Sequence, residues 1–365
     1  MAENVLNPKV KTFPALEGAQ HGPKGLLGFI AFIASAANRF NIGIIGGQPS
    51  NFMLELPPDK QTVRKIFRPA REIKEAFNSN NVRLVGVSAH CPFWVLLTAW
   101  TGSKSIRPFI PAHVAELSPK GVFTWLEEYI LRLLDLCAEL GIKVVPMFWG
   151  VAFGWELATG YPWGFWAGAD YDLLKEGQER FVKMTTRIRD RARSLGIYLC
   201  HEIHPGTAAS CAEDFNMLVR LCDGDSCVAS NNDGSHCWEG EDVFTRIALV
   251  GKRTFATHIK NHAVRPGLPL RSMQPDFTKR AMQFTDLATG EHNLVREVEA
   301  LITCGYVERY CRIMGTDMAP LVGEAESSYR DLDDTAEHSL DFIQKRLCFP
   351  LAAGSFEDGM GAEKK

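Results

Sequence analysis

One phrase recurs along this chain: an amphipathic helical stretch, a glycine, then a short apolar run rich in β-formers. "VFTWLEEYILRLLDLCAEL" (122–140) puts Val122, Trp125, Leu126, Tyr129, Ile130, Leu133, Leu134 and Cys137 on one face at helical spacing. Ser118-Pro119 forms an N-cap and first-turn pair, and Gly141 follows the helix end. "IKVVPMF" (142–148) then reads as a buried strand. The phrase returns as "RIRDRARSLG" with "IYLCHE" (197–202), and again as "DVFTRIALVG" with "RTFATHI" (253–259). Strands separated by helices pair in parallel through crossovers, because a tight hairpin leaves no room for a helix.

Completing the pattern gives eight strand candidates, near 8–14, 41–46, 82–88, 142–148, 197–202, 227–232, 253–259 and 320–324. Helical patterns fall near 25–39, 59–78, 121–140, 173–195, 210–222, 241–250, 293–304 and 333–347. Eight such units predict an α/β protein: one (β/α)8 TIM barrel over 1–350, followed by a flexible tail at 351–365. A doubly wound open sheet is the alternative. Three βα connections are long, at 89–118, 149–172 and 260–292. The first two are rich in Trp, Gly and Pro and lack helical period. Loops of that length inside a compact domain usually carry function.

Composition narrows the classes. The net charge of -3 and the lack of a basic block argue against a nucleic-acid partner. Ten scattered cysteines without a Cys-x-x-Cys pair suit a reducing, cytoplasmic setting. The apolar run "GLLGFIAFIASAANRF" (25–40) is short of the roughly 20 residues of a membrane span. A small-molecule substrate is the expected partner, with a homo-oligomer or a small partner subunit left open.

In a barrel of this kind, chemistry sits at the C-terminal strand ends. Strand 3 ends near His90, strand 5 at Glu202 and His204, and strand 6 at Asp233 and His236. Strand 7 ends at His258 and Lys260, and strand 8 at Glu324 and Glu326. Any one of these alone is an ordinary polar strand end or a helix cap. Three carboxylates and an imidazole on four successive strands are a matched set. They suit a hard or borderline divalent ion, Mn²⁺ foremost, with Mg²⁺ or Co²⁺ also possible. Without a cysteine ligand, structural zinc is disfavoured. Period two puts His258 and Lys260 on one face. It sends His201 the other way, toward the helices. Seven tryptophans (94, 100, 149, 155, 163, 166, 238) fall in or beside the top loops. They either stack on a substrate ring or pack the loops, as Glu156 either contacts substrate or pairs within its loop. Arg265 and Arg271 are loop arginines able to anchor a polar substrate. Cys91, Cys200 and Cys237 read as packing residues.

The segments "HEIHPG", "NNDGSHCWEGED", "HIKNH" and "LVGEAESSYRDL", in that order, resemble the xylose-isomerase-like barrel superfamily. This is the sugar phosphate isomerase/epimerase group, which also holds the endonuclease IV type. The resemblance spans about residues 8–347. It implies that Glu202, Asp233, His258 and Glu324 ligate a metal, and that Glu202 and Glu324 also move protons. It implies a substrate contact for His236. We group His90, His204, Lys260, Arg271 and Trp149 with it as candidate substrate contacts. The expected reaction is sugar isomerisation or epimerisation, by proton abstraction next to a carbonyl through an enediolate. The alternative is elimination of the aglycone from a 3-keto glycoside on the same site. Phosphodiester hydrolysis and non-catalytic sugar binding are further readings. The first lacks ligands here: strand 4 ends Phe148-Trp149, and no Asp-x-His follows strand 7. Two departures stand out. Gly234 replaces a common proline, and Ala208 falls where ketose 3-epimerases carry a substrate-binding glutamate.

Overall fold

In the computed structural model, which describes residues 9–62, 65–98, 104–152, 171–268 and 279–351, the recurring phrase becomes a ring of strand–helix units. The strands are β1 (Thr12–Glu17), β2 (Gly46–Gln48), β3 (Arg83–Leu84), β4 (Val144–Met147), β5 (Tyr198–Glu202), β6 (Val228–Asp233) and β7 (Thr254–Ile259). An antiparallel hairpin, β8 (Asn261–Val264) and β9 (Met282–Thr285), precedes the last barrel strand, β10 (Ala319–Gly323). The longer helices are α1 (Gly25–Phe40), α2 (Ala70–Ser79), α3 (His90–Thr98), α4 (Pro119–Leu140) and α5 (Tyr171–Leu195). They continue with α6 (Ala212–Leu221), α7 (Val243–Val250), α8 (Leu294–Thr303), α9 (Tyr306–Met314) and α10 (Leu332–Phe342).

Eight strands form one sheet in the order β3-β2-β1-β10-β7-β6-β5-β4, and every recorded pairing between them is parallel. The seam between the third and fourth strands is bridged where the Ala89 N–H donates to the Pro146 carbonyl at 2.8 Å. Gly86 permits the approach, since a Cβ there would meet the Val144 carbonyl at 3.3 Å. The fold is a (β/α)8 TIM barrel. Phe13, Ala15, Val85, Met318 and Val322 form a small buried cluster of their own. Alternation then places Glu17 on the same face as Phe13 and Ala15, at the C-terminal end of β1. Leu16 faces the other way and joins the larger core with Phe29, Ile30 and Ile33 of α1.

The best-read unit forms as its residues dictate. Ser118 Oγ accepts from the Gly121 N–H at 3.3 Å, Pro119 opens α4, and Gly141 ends it in the left-handed region at φ 82°. Trp125, expected in the core, is half-buried and stacks on Tyr129 at 5.3 Å.

Several boundaries differ from the sequence reading. The first strand runs 12–17 rather than near 8–14, and the second 46–48 rather than 41–46. Asn41 closes α1 in the left-handed region (φ 54°), and the Ile42 N–H still bonds into that helix. The chain there cannot yet be a strand. Residues 89–118 were expected to lack helix, yet α3 begins at His90. Its Pro92, Phe93, Val95, Leu96, Leu97 and Thr98 are all buried, so no polar face exists to mark a period. The helix expected at 59–78 starts only after Pro69. An extra helix, α9, follows Gly305, whose φ of 80° breaks it from α8. Most of 149–172 and the tail beyond 351 lie outside the described residues.

Candidate active site

The C-terminal ends of β1, β2, β5, β6, β7 and β10 converge on one buried polar cluster. Strand register sets the layer: Glu202 pairs with Asn231, Asp233 with His258, and His258 with Val322, one residue before Gly323 and two before Glu324. His258 Nδ1 lies 2.9 Å from Glu202 Oε2 and 3.3 Å from Glu324 Oε2. Oxygens of Glu202, Asp233 and Glu324 lie within 4.8 Å of one another. His236 Nε2 stands 3.2 Å from Asp233 Oδ2 and 3.5 Å from Glu202 Oε1. His90 Nε2 is 3.4 Å from Glu202 Oε2. Thus nine of the ten sequence-predicted positions fall in described residues, and Arg271 lies outside them.

The electrostatics follow from burial against charge. Burial alone would push the Glu202 carboxyl up. Contacts with His236, His258 and His90 outweigh it and hold the group well below its ordinary range. Asp233 is likewise raised by burial but held down by Lys260 and His236. Burial works against the charged form of His236, yet the Asp233 carboxylate lifts it to about 9. His258 is lifted in the same way by Glu202 and Glu324. Lys260, despite burial, is held charged by Glu324, Glu326 and Asp233.

Asp233 Oδ2, Glu324 Oε2 and His258 Nδ1 are buried and accept or donate no hydrogen bond. Oxygen donors with one imidazole, aimed at each other without mutual hydrogen bonds, fit a divalent cation. Glu202, whose Oε2 also accepts from Asn231 Nδ2 at 2.7 Å, would be the fourth ligand.

The remaining expected contacts divide. His204 packs on the His236 ring at 4.0 Å and on Phe148 at 4.9 Å, beside the cluster. Trp149 is fully buried, edge-on to Phe93 and Phe181, and so packs the barrel rim. His201 points to the helix layer as expected, accepting from the Trp149 N–H at 3.0 Å. Burial pushes the Cys91 thiol up to about 11 and the Cys237 thiol to about 12, which makes both poor nucleophiles.

Sequence reasoning missed Glu17, Gln48, Gln20 and Asn231. Glu17 is fully buried, and its oxygens accept from Ser88 Oγ at 2.5 Å, from the Ala19 N–H at 3.0 Å and from Gln48 Nε2. Gln48 Nε2 is also 2.8 Å from His258 Nε2. Gln20 Nε2 donates to Glu324 Oε1 at 2.7 Å and to Glu326 Oε1 at 3.0 Å. The available signal was polarity in strands that are otherwise apolar. It could be used only once their ends were correctly placed.

No curated protein matches this sequence. Solved structures do match the fold. A xylose isomerase-like TIM barrel protein from Mycobacterium smegmatis, in complex with magnesium, is 16% identical with a TM-score of 0.58, covering 95% of this chain and 100% of its own. D-Allulose 3-epimerase from Methylomonas sp. in complex with D-allulose is 16% identical with a TM-score of 0.53, covering 92% and 97%. An L-ribulose 3-epimerase is 14% identical with a TM-score of 0.52, covering 90% and 92%. The sequence model described as "Xylose isomerase-like TIM barrel" matches residues 46–286, about two thirds of the chain, and the chain therefore belongs to the xylose isomerase-like TIM barrel family.

Proposed function

We propose that this protein is a divalent-metal-dependent sugar isomerase or epimerase that moves a proton next to a carbonyl through an enediolate. The observation that carries the reading is the convergence of Glu202, Asp233 and Glu324 within 4.8 Å, with His258 Nδ1 against two of them. Glu202, Asp233, His258 and Glu324 would hold the ion, with Mn²⁺ preferred. A bound ion supplies Lewis acidity that polarises the carbonyl and stabilises enediolate charge. The chain's own residues do the rest. Glu202 and Glu324 approach His258 from different strands, β5 and β10, so each faces a different side of a ligand seated there. Either carboxylate can take a carbon-bound proton as general base, and the other can return one. Return to the opposite face epimerises; return to the neighbouring carbon isomerises. His236, His90 and His204 border Glu202 and can hold substrate hydroxyls. Burial keeps bulk water from quenching the carbanionic intermediate.

One observation favours the elimination reading as the alternative. Ala208 is fully buried and its N–H donates to the Trp149 carbonyl at 2.9 Å. The position where ketose 3-epimerases hold substrate with a glutamate is here part of the packing. A 3-keto glycoside would use the same proton abstraction, then expel its aglycone from the adjacent carbon.

The test is incubation with ketoses, inososes and 3-keto glycosides in deuterium oxide with Mn²⁺, following carbon-bound exchange by NMR. Exchange should appear for one class, and Glu202→Gln should lower its rate by about 10²–10⁴. No exchange with any class, or full activity in Glu202→Gln, would refute the reading.

A further inference from the structure

Lys260 is the only buried lysine among the described residues. Its Nζ lies 3.0 Å from Glu324 Oε2, 3.3 Å from Asp233 Oδ2 and 3.2 Å from Glu326 Oε2. The first two oxygens are the ones that a divalent ion would take. The third belongs to Glu326, which is outside the ligand set and whose side chain is 33% exposed. Gln20 bridges Glu324 and Glu326 from β1's side, which fixes both carboxylates around the ammonium. The Phe284 ring of β9, 4.5 Å from Nζ, supplies a cation-tolerant wall along the same path.

Nζ already donates a hydrogen bond to Glu326 Oε2, and we propose that Lys260 is a tethered cation that competes with the divalent ion for Asp233 and Glu324, ion binding leaving it on Glu326 alone. The proposal rests on the metal reading above. Without an ion, Asp233, Glu324 and Glu202 are buried carboxylates facing one another, an arrangement that costs stability unless a positive charge sits among them. Lys260 supplies that charge from the position just past the strand that carries His258. An ion bound at ligand distance to Asp233 Oδ2 and Glu324 Oε2 would be brought against an ammonium that lies within ion-pair distance of the same two oxygens, 3.3 and 3.0 Å away. Like charges cannot share them at that range. The lysine stem is flexible and its head is a point charge, so it can move without breaking a fixed fork. Glu326 is the nearest acceptor, and its partial exposure lets water complete the shell of the displaced pair.

Two variants push the balance in opposite directions. Lys260→Met removes the competitor; Glu326→Gln removes its alternative berth. Mn²⁺ is titrated calorimetrically into metal-stripped wild type and both variants. Lys260→Met should bind about tenfold tighter than wild type, and Glu326→Gln about tenfold weaker. A crystal structure of the Mn²⁺-loaded wild type should keep Nζ on Glu326 and withdraw it to about 4 Å or more from Asp233 Oδ2 and Glu324 Oε2. Equal affinity in all three proteins, or Nζ unmoved beside a bound ion, overturns the competition and leaves the metal reading standing. No Mn²⁺ binding to wild type or to Lys260→Met overturns both. Should Lys260→Met fail to fold, Glu326→Gln and the loaded structure decide the matter.

Discussion

Glu17 is the sharpest place to test how the barrel supports its polar centre. His258 Nδ1 faces Glu202 and Glu324, so a metal-binding His258 must carry its proton on Nε2. Two groups stand behind Nε2: the Gln48 amide at 2.8 Å and Glu17 Oε2 at 3.7 Å. An amide N–H cannot accept that proton, whereas a carboxylate can. At 3.7 Å Glu17 is out of hydrogen-bond reach, so it would become the acceptor that fixes the ring in its ligating form once the nearer Gln48 amide turns aside and that gap closes. Glu17→Gln keeps the shape and one oxygen. Ser88 and the Ala19 N–H both bond to Oε1, which can remain an oxygen, and the Gln48 amide can turn to meet the new N–H. The stability loss should therefore be only about 1–2 kcal/mol. Mn²⁺ affinity should fall about 10–100-fold. Glu17→Leu, by contrast, strands three donors in the interior and should cost about 3–5 kcal/mol. Urea melts in chelator give the stabilities, and calorimetric titration gives the affinities. If Glu17→Gln binds Mn²⁺ within about twofold of wild type while folding normally, Glu17 does not position His258 and the support argument is wrong.

Other consequences are testable without knowing the substrate. His21 packs against Phe29 and Phe32, and burial pushes its imidazole down to about 4, with Asp333 pulling up and Lys24 adding to the fall. The unfolded chain takes up that proton near 6.5, so the stability from keeping His21 neutral is complete above 6.5 and is lost as pH falls toward 4. The loss is at most about 3 kcal/mol, and His21→Phe should flatten the acid limb of a stability–pH curve; an unchanged slope would refute this. Tyr306 Oη donates to the buried Pro320 carbonyl at 2.6 Å, so Tyr306→Phe should lower stability by about 1–3 kcal/mol in urea melts. At Gly46 an added Cβ would meet Val85 Cγ1 at 2.6 Å inside the barrel, so Gly46→Ala should cost about 1–3 kcal/mol by overpacking, read by thermal melts.

The site was legible where strand ends were. Glu202, Asp233, His258 and Glu324 lie at or beside the ends of strand runs readable from the sequence, and their chemistry matched across four strands. Glu17 and Gln48 sit in the same layer but in strands that do not look like strands. β1 contains Pro14, which argues against a central strand, and β2 is Gly-Gly-Gln, without one β-former. A shift of three residues at the end of the first strand hid Glu17 entirely. His90 was correctly brought to the site by a wrong element: it opens α3, a helix invisible to period because it is buried on nearly every side. Lys260 was legible as a neighbour of His258 by alternation. Its ion-pair partners Asp233, Glu324 and Glu326 stood among the strand-end residues too, but Gln20, which ties Glu324 to Glu326 from beyond β1, did not.

The charge balance argues that this centre is built for a ligand rather than for stability. Glu17, Glu202, Asp233 and Glu324 are all at least nine-tenths buried, and Lys260 is the only buried ammonium among the described residues to face them. Each buried carboxylate gives up hydration that its contacts repay only in part, and a well-packed apolar residue in its place is often neutral or stabilising. A barrel selected for stability alone would fill this layer with the branched apolar side chains that fill the layers of most barrels. The upward pull on His236 and His258 is the same excess of negative charge seen from the other side: the fold recruits whatever positive charge it holds, protons included. A divalent cation would complete that balance with one particle where oxygens of Glu202, Asp233 and Glu324 lie within 4.8 Å of one another. On the proposed reading, the cost of keeping those carboxylates in the interior would be the cost of a site that holds its ion strongly.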